Sequence, residues 1–395
     1  MIIRQTMLLP INCEEVASFP KGILSGSSFE IVRSIEDLKV LENPRLRQWM
    51  RHSNFIIFGV GGSCLGGKTI GEISGRSNVR FIDGLDPSTL KRVFSDINLE
   101  ETGFLCISKS GETMETIYQT FLVLSMIENV LKRDKVVLIT EGKASSMREI
   151  AETYNFLCLD HPKDVGGRFS VFSIVGMLPA MLCGIDPLKI RAGGVEVLDN
   201  HLAEAEKGAA FVAENIRSRL FQHVSFIYSD KLATFGAWLS QLYAESTGKS
   251  GTGVTPIVAR GSMDQHSQLQ LYLDGTNDKC FTFFLEEQEA DFQLDSKTAF
   301  PAHLAYLKNK TAMDVFRAQH DATIAALLEK KRPIRKIEIP QITPEVLGAL
   351  FMYFMVEVVY ICHMIGVNAF DQPAVERGKN ITKALLKRYR DHKIR

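Results

Sequence analysis

Residues 103–113 read Gly103-Phe104-Leu105-Cys106-Ile107-Ser108-Lys109-Ser110-Gly111-Glu112-Thr113, an apolar run that passes without a break into hydroxyls, a lysine and a glycine. A continuous apolar run of this length suits a strand buried on both faces. That pattern belongs to a parallel sheet covered by helices, not to an alternating antiparallel strand. A helix follows, so the segment predicts a strand–loop–helix unit whose loop lies at the carboxyl end of the strand, where ligands gather in open α/β sheets. Ser and Thr oxygens beside the free N–H groups of a helix N-terminus make a cage for a dianionic monophosphate. Ordinary capping by Ser108 or Ser110, with Glu112 favouring the helix dipole, accounts for the same residues equally well.

The same kind of run recurs on either side, at residues 54–60, 79–83, 136–140 and 156–159, each bounded by Gly, Ser, Asp or a charge cluster. After Asp186-Pro187 and Ala192-Gly193-Gly194 the pattern restarts. Residues 224–228, 255–259, 281–285 and 334–339 supply a second strand set, interleaved with helices near 232–246 and 298–328. Alternating strands and helices in two series predict an α/β protein with two halves. The expected units are an N-terminal arm over 1–45, a first domain over 46–195, a second over 196–366, and a loop with a basic helix over 367–395.

Composition bounds what such a chain can do. It has 395 residues, 45% of them hydrophobic and 23% charged, which excludes a disordered chain, a small disulfide-stapled scaffold and a multispan membrane protein. Forty-six basic residues balance 46 acidic ones, which argues against a partner such as nucleic acid or an anionic lipid surface held by a global field. Seven cysteines, at 13, 64, 106, 158, 183, 280 and 362, form no C-x-x-C pair and read as buried reduced thiols. No metal spacing such as H-E-x-x-H is present. Residues 1–10 lack the form of a signal peptide, so a cytoplasmic protein is expected. The apolar run 346–356 stops at Glu357 and again at His363, short of spanning length. With Thr343 as N-cap, Pro344 at the first position and Gly366 beyond its end, it reads as a soluble buried helix and a candidate for a subunit interface, not a membrane segment.

Five more loops carry candidate chemistry. Residues 59–69 are glycine-rich, and Gly62 to Thr69 satisfies G-x-x-x-x-G-K-[ST], the nucleotide triphosphate loop, with Asp160 after residues 156–159 as a possible magnesium-binding aspartate. A dinucleotide loop fits less well, because its third glycine falls at Cys64, although Asp83 lies at a plausible distance for a ribose contact. Another phosphate role, or a tight turn, remains open. In Gly166-Gly167-Arg168-Phe169-Ser170, a guanidinium behind two glycines can point into a cleft and stabilise an oxyanion, or make a surface ion pair. Gln241 and Glu245 stand one helical turn apart near a helix end, where a solvated carboxylate is the plain alternative. His266, within 264–268, would by default be a polar core histidine. Residues 371–379 are, taken alone, a loop entering a basic helix.

Taken together and in this order, the six segments resemble the phosphoglucose isomerase family. The match is colinear from about residue 55 to about residue 386, and it runs through Gly-Gly-Ser, Ser-Lys-Ser-Gly-Glu-Thr, Gly-Gly-Arg-Phe-Ser, Glu-Ser-x-Gly-Lys, Gln-His-Ser and Asp-Gln-x-x-Val-Glu-x-Gly-Lys. The resemblance implies two sugar-isomerase (SIS) domains, each a mainly parallel five-stranded sheet flanked by helices. It implies an aldose–ketose isomerase of glucose 6-phosphate and fructose 6-phosphate, working in glycolysis and gluconeogenesis by ring opening and a cis-enediol(ate), with no metal or other cofactor. Ser108, Lys109, Ser110 and Thr113, with Gly62 and Ser63, are implied to hold the sugar phosphate. Gln241 is similar to the family's glutamine at the phosphate end of its helix, and Gln372 to the one near the last lysine. Glu245 is implied as the base, Arg168 as the enediolate stabiliser, and His266 with Lys379 as the ring-opening pair. The family's histidine reaches a neighbouring subunit's site, which implies a homodimer.

Those residue types suit the chemistry: a carboxylate can move a proton between C1 and C2, and a fixed cation meets the charge that appears on O1 or O2. Thr247 departs from the family's usual Asn, and Pro373, Ala374 and Arg377 from its usual residues near the last lysine. A bifunctional phosphoglucose/phosphomannose isomerase is the near alternative, and a non-catalytic phosphosugar sensor the remote one.

Overall fold

Each apolar run marked above as a strand becomes one, because apolar side chains suit strands covered by helices on both faces. The computed structural model describes residues 3–8, 19–20, 22–127, 134–288, 292–295 and 297–388. In chain order the strands are β1 (Arg4–Leu8), β2 (Asn54–Phe58), β3 (Val79–Ile82), β4 (Thr102–Ile107), β5 (Val136–Thr140), β6 (Leu157–Asp160), β7 (Gln222–Tyr228), β8 (Thr255–Arg260), β9 (Lys279–Glu286) and β10 (Ile334–Ile339). Every residue of β4, β5 and β9 is buried.

The first sheet has the order β3-β2-β4-β5-β6 and is parallel throughout. The second has the order β1-β10-β9-β7-β8 and is parallel except at its edge, where β1 pairs antiparallel with β10, Arg4 opposite Glu338. Thus the α/β architecture of two mainly parallel five-stranded sheets is present. The chain leaves β2 toward β3 on one side and β4 on the other, which opens a crevice at their carboxyl ends. The loops beginning at Gly59 and Ser108 flank that crevice.

Strand β1 is the element not expected from the sequence. It lies in the N-terminal arm yet completes the second sheet, and its Gln5 accepts a hydrogen bond from the Tyr353 hydroxyl at 2.8 Å. Ala192-Gly193-Gly194 is not a break. It lies within the helix Pro187–Asn200, and the expected boundary between residues 195 and 196 falls inside that helix. A Cβ on Gly193 would collide with the Glu345 carbonyl oxygen, and one on Gly348 with the Ile190 carbonyl oxygen. The glycines let this helix and Pro344–Met364 touch backbone to backbone.

The helix Pro344–Met364 starts as expected, with Thr343 Oγ1 accepting from the Val346 N–H at 3.2 Å. Its most apolar stretch is 94% buried inside the chain's own fold, so intrachain packing, not a subunit interface, covers it. Glu357, fully buried within it, pairs with Arg335 of β10 at 2.5 Å. The expected helix over 298–328 divides into a 3-10 segment Ala302–Leu307 and the helix Ala312–Glu329, which opens on a reciprocal Thr311–Asp314 cap. The terminal basic helix spans Glu376–Arg388, and residues 389–395 lie outside the described residues. So does Cys13. The other six cysteines are free thiols. Burial pushes Cys64, Cys106, Cys280 and Cys362 up to about 12, which leaves them without thiolate character.

Candidate active site

The site is assembled where the loop after β2 meets the short turn Gly167–Phe169. A Cβ on Gly62 would run into the Gly167 carbonyl and lie 2.6 Å from the Arg168 nitrogen, so the two loops close only over a glycine. Ser170 Oγ donates to the Gly62 carbonyl at 3.3 Å and ties them. Arg168 is thereby aimed inward and is only 2% exposed.

Its guanidinium is fully engaged. Nε donates to Ser246 Oγ at 2.8 Å, and Nη1 to Gln372 Oε1 at 2.7 Å and to Glu245 Oε2 at 3.1 Å. Nη2 donates to the carbonyls of Ala369 at 2.6 Å and Asp371 at 3.0 Å. Burial pulls the group below its ordinary value and Glu245 opposes that, but a guanidinium stays charged throughout the working range. Arg168 therefore gathers the base, its neighbour and the loop before the last helix around one cation, and the surface ion pair considered from sequence does not describe it.

Glu245 lies near the end of the helix Ala233–Thr247 and is 31% exposed. With one oxygen on Arg168, its other, Oε1, accepts from Gln241 Nε2 at 2.9 Å. It borders a cavity of about 830 Å³ between the helix end, residues 250–252 and residues 366–375. A carboxylate beside a fixed cation at the rim of a cavity can move a proton while the cation meets the developing negative charge.

In the loop after β4, Ser108 Oγ lies 2.8 Å from Thr113 Oγ1 and accepts from the Gly111 N–H at 3.2 Å, while Ser110 Oγ accepts from the Glu112 N–H at 3.1 Å. These bonds shape the loop. Thr113 makes no side-chain cap, so the start of the helix Met114–Met126 is left without one. Glu112 turns away, its carboxylate accepting from the Ser146 N–H at 2.7 Å. Lys109 Nζ lies 3.4 Å from Glu141, which also pairs with Lys143.

The triphosphate motif finds other employment. Lys68 pairs with Asp83 at 2.9 Å, which also occupies the aspartate a dinucleotide would need, and the buried Thr69 hydroxyl donates to the Leu65 carbonyl. Gly66 and Gly67 lie against Val171 and Pro179 and serve helix packing.

His266 is exposed, not a core residue. It follows β8 in a hollow of about 400 Å³ with Leu269, Val315 and Gln319, and no contact joins it to Glu245 or Arg168 among the described residues. Lys379 is exposed on the helix Glu376–Arg388, where Lys383 lies 3.7 Å from Glu112. The structure therefore brings together Arg168, Glu245, Gln241, Gln372 and Gly62, and leaves His266 apart. Thr247 faces the protein, its hydroxyl donating to the Tyr243 carbonyl at 2.8 Å and accepting from the Val254 N–H at 3.2 Å.

Sequence reasoning assigned no role to Ser246 or Lys249. Lys249 Nζ pairs with Asp371 at 2.9 Å and donates to the Ser246 carbonyl at 3.0 Å, binding the helix end to the 366–375 loop. The signal available for both was their place in Glu-Ser-x-Gly-Lys. The carbonyls of Ala369 and Asp371 had none.

Two mainly parallel sheets, a hydroxyl-rich loop at the crevice of the first, and an arginine–carboxylate pair beside a cavity define a sugar-phosphate isomerase of the SIS fold. The chain belongs to the phosphoglucose isomerase family, whose sequence model matches residues 49–395. It is 34% identical over 343 residues to a probable glucose-6-phosphate isomerase of Haloarcula marismortui, covering 84% of this chain and 78% of the relative. It is 33% identical to the glucose-6-phosphate isomerase of Methanocaldococcus jannaschii, covering 85% of each chain. Among solved structures, a hypothetical protein of Thermus thermophilus superposes with a TM-score of 0.81 at 29% identity, over 93% of both chains. A glucose-6-phosphate isomerase of Chlamydia trachomatis shares the fold, with a TM-score of 0.74 at 21% identity over 91% of this chain and 74% of the other.

Proposed function

We propose that this chain interconverts glucose 6-phosphate and fructose 6-phosphate, an aldose–ketose isomerisation of glycolysis and gluconeogenesis, and does so in the cytoplasm as a homodimer without nucleic-acid or membrane partners. Family membership and relatives bearing that name support the reaction. The observation that carries the mechanism is the Arg168–Glu245 contact at 3.1 Å beside the cavity.

The phosphate is held by the Ser108, Ser110 and Thr113 hydroxyls, Lys109, and the backbone at Gly62 and Ser63. Binding there, remote from the reacting carbons, positions the sugar. The cyclic sugar opens as a proton leaves O1 and another reaches O5, the roles of His266 and Lys379. His266 is exposed and apart from its own chain's Glu245, which supports its serving the site of a second copy. Glu245 then takes the C2 proton of the aldose, and the C–H electrons form the C1–C2 double bond as the C1 carbonyl becomes an oxyanion. Arg168 holds that charge once substrate displaces one of its resting partners, with Gln372 on Nη1 at hand. A hydroxyl proton passes from O2 to O1, and Glu245 returns its proton to C1 to give the ketose. Base, cation and two proton carriers complete the reaction without a metal or nucleotide.

A phosphosugar sensor would need the Ser108 loop but not the pair Arg168–Glu245. Purified protein is expected to convert fructose 6-phosphate in a coupled assay without added metal or nucleotide, and Glu245→Gln to lose about 100-fold or more in turnover while binding phosphosugar nearly as before. Binding without turnover in the wild type would make the chain a sensor. Mannose 6-phosphate offered in the same assay separates a bifunctional enzyme.

A further inference from the structure

We infer that Asp264 is a positioning residue for His266: its buried carboxylate clamps the loop that presents the imidazole. The inference rests on the isomerase function proposed above and assigns a task to a residue which that reading leaves without one.

Residues 261–268 join β8 to the short helix Leu269–Asp274. His266 stands exposed on this loop, and its imidazole makes no hydrogen bond among the described residues, so only the loop places the ring. Asp264, two residues earlier, is buried. Its Oδ2 accepts from the Arg260 N–H at 2.7 Å, and its Oδ1 from the Ser267 hydroxyl at 2.7 Å. One carboxylate thereby ties the last residue of β8 to the residue after His266. The backbone of Asp264 adds to the tie: its N–H donates to the Arg260 carbonyl at 2.9 Å, and its carbonyl accepts from the Gln268 N–H at 2.8 Å. Burial alone would raise the carboxyl, but the Arg260 N–H and the Ser267 hydroxyl outweigh it and hold the group below its ordinary range. Both oxygens therefore stay acceptors at neutral pH.

The loop is also held against strain. Ser262 has φ +59°, a left-handed conformation that a residue with a side chain adopts against its preference, and its hydroxyl donates to Gln319 Oε1 at 2.8 Å. From the other side the buried Tyr228 of β7 donates its hydroxyl proton to Gln265 Oε1 at 2.9 Å. Gln265 and Ser267 are thus both held by the protein while the residue between them faces outward. Backbone bonds alone would turn the chain, and a buried charge joining both ends of the histidine's loop goes beyond that need. A proton carrier has to arrive within hydrogen-bond distance of a sugar oxygen, and a loop ordered beforehand removes that entropy cost from the reaction.

The test uses full-length protein and the variants Asp264→Ala, Ser267→Ala and His266→Ala, with His266→Ala also combined with each of the other two. Each is assayed for kcat and KM with glucose 6-phosphate and for affinity toward glucitol 6-phosphate, an open-chain compound that cannot isomerise. Asp264→Ala is expected to lower kcat about 10- to 100-fold, and Ser267→Ala, which breaks one of the two carboxylate bonds, about 2- to 10-fold. KM and the glucitol 6-phosphate affinity should stay within about twofold. Each double variant should be no slower than His266→Ala alone, since a residue that acts through the imidazole has nothing to act on once it is gone. Should Asp264→Ala fail to fold, Ser267→Ala and its double variant make the same comparison. Additive losses would overturn the inference, as would an unchanged kcat in the loop variants or a loss carried by KM. A wild-type protein with no turnover would instead remove the isomerase function, and an active wild type with a fully active His266→Ala would remove the histidine's role. Either result takes this assignment with it.

Discussion

At the scale of the residue, the site's charges are stabilised by pairing and other buried groups by losing their charge. His223 of β7 is almost fully buried, its Nε2 2.7 Å from Thr282 Oγ1, and burial first, then the charge of Arg335, push it down to about 3. An unfolded chain takes up that proton near pH 6.5, whereas the folded one does not. The contribution to stability is therefore complete above about pH 6.5 and shrinks as the solution is acidified toward the folded value. The melting temperature should fall between roughly pH 6.5 and 4, and less steeply in His223→Gln, which has no imidazole to charge. Parallel slopes would assign the acid loss to other groups. The chemistry of Arg168 and Glu245 was legible at this scale as residue types in motifs. Their contact, and the carbonyls that complete the arginine's shell, were not, because a backbone oxygen has no signature in a sequence.

At the scale of the element, the strands were readable because apolar side chains dominate their runs, and β2 to β10 fall within a few residues of those runs. Strand β1 was not, because an edge strand with one neighbour alternates and borrows its partner from the far end of the chain. The pair Gly193-Gly194 spelled a break for the opposite reason. Gly193 meets the backbone at Glu345 and Ala349, more than a hundred residues away, and Gly194 meets Val32 and Phe172, and only those meetings explain the absence of side chains. Gly348→Ala should then be severe, since its Cβ has no space against the Ile190 backbone. A loss of about 3 kcal/mol or more is expected in denaturant unfolding. Gly84→Ala, where nothing lies within 4 Å, should melt like the wild type. Equal stability of the two variants would mean that the helices can separate cheaply.

At the scale of the whole molecule, the proposed dimer assigns Glu245 and His266 of one site to different chains. Mixing Glu245→Gln and His266→Ala proteins, each nearly inactive, should therefore restore activity. Random exchange makes half the dimers mixed, and each mixed dimer has one site with both residues intact, so about a quarter of wild-type turnover is expected. No recovery after subunit exchange would put His266 in its own chain's service or in none.

The pairing of Arg4 with Glu338 has a consequence for how the protein is made. Strands β2 to β6 are consecutive, and the first sheet can close as soon as residue 160 has left the ribosome. Strand β1 emerges before any of them but waits for almost the whole chain. Closing so long a loop costs conformational entropy that only the finished second sheet can repay. Residues made before either sheet are thus among the last to find their place, and until then the edge of β10 stands open to any other extended segment that reaches it first.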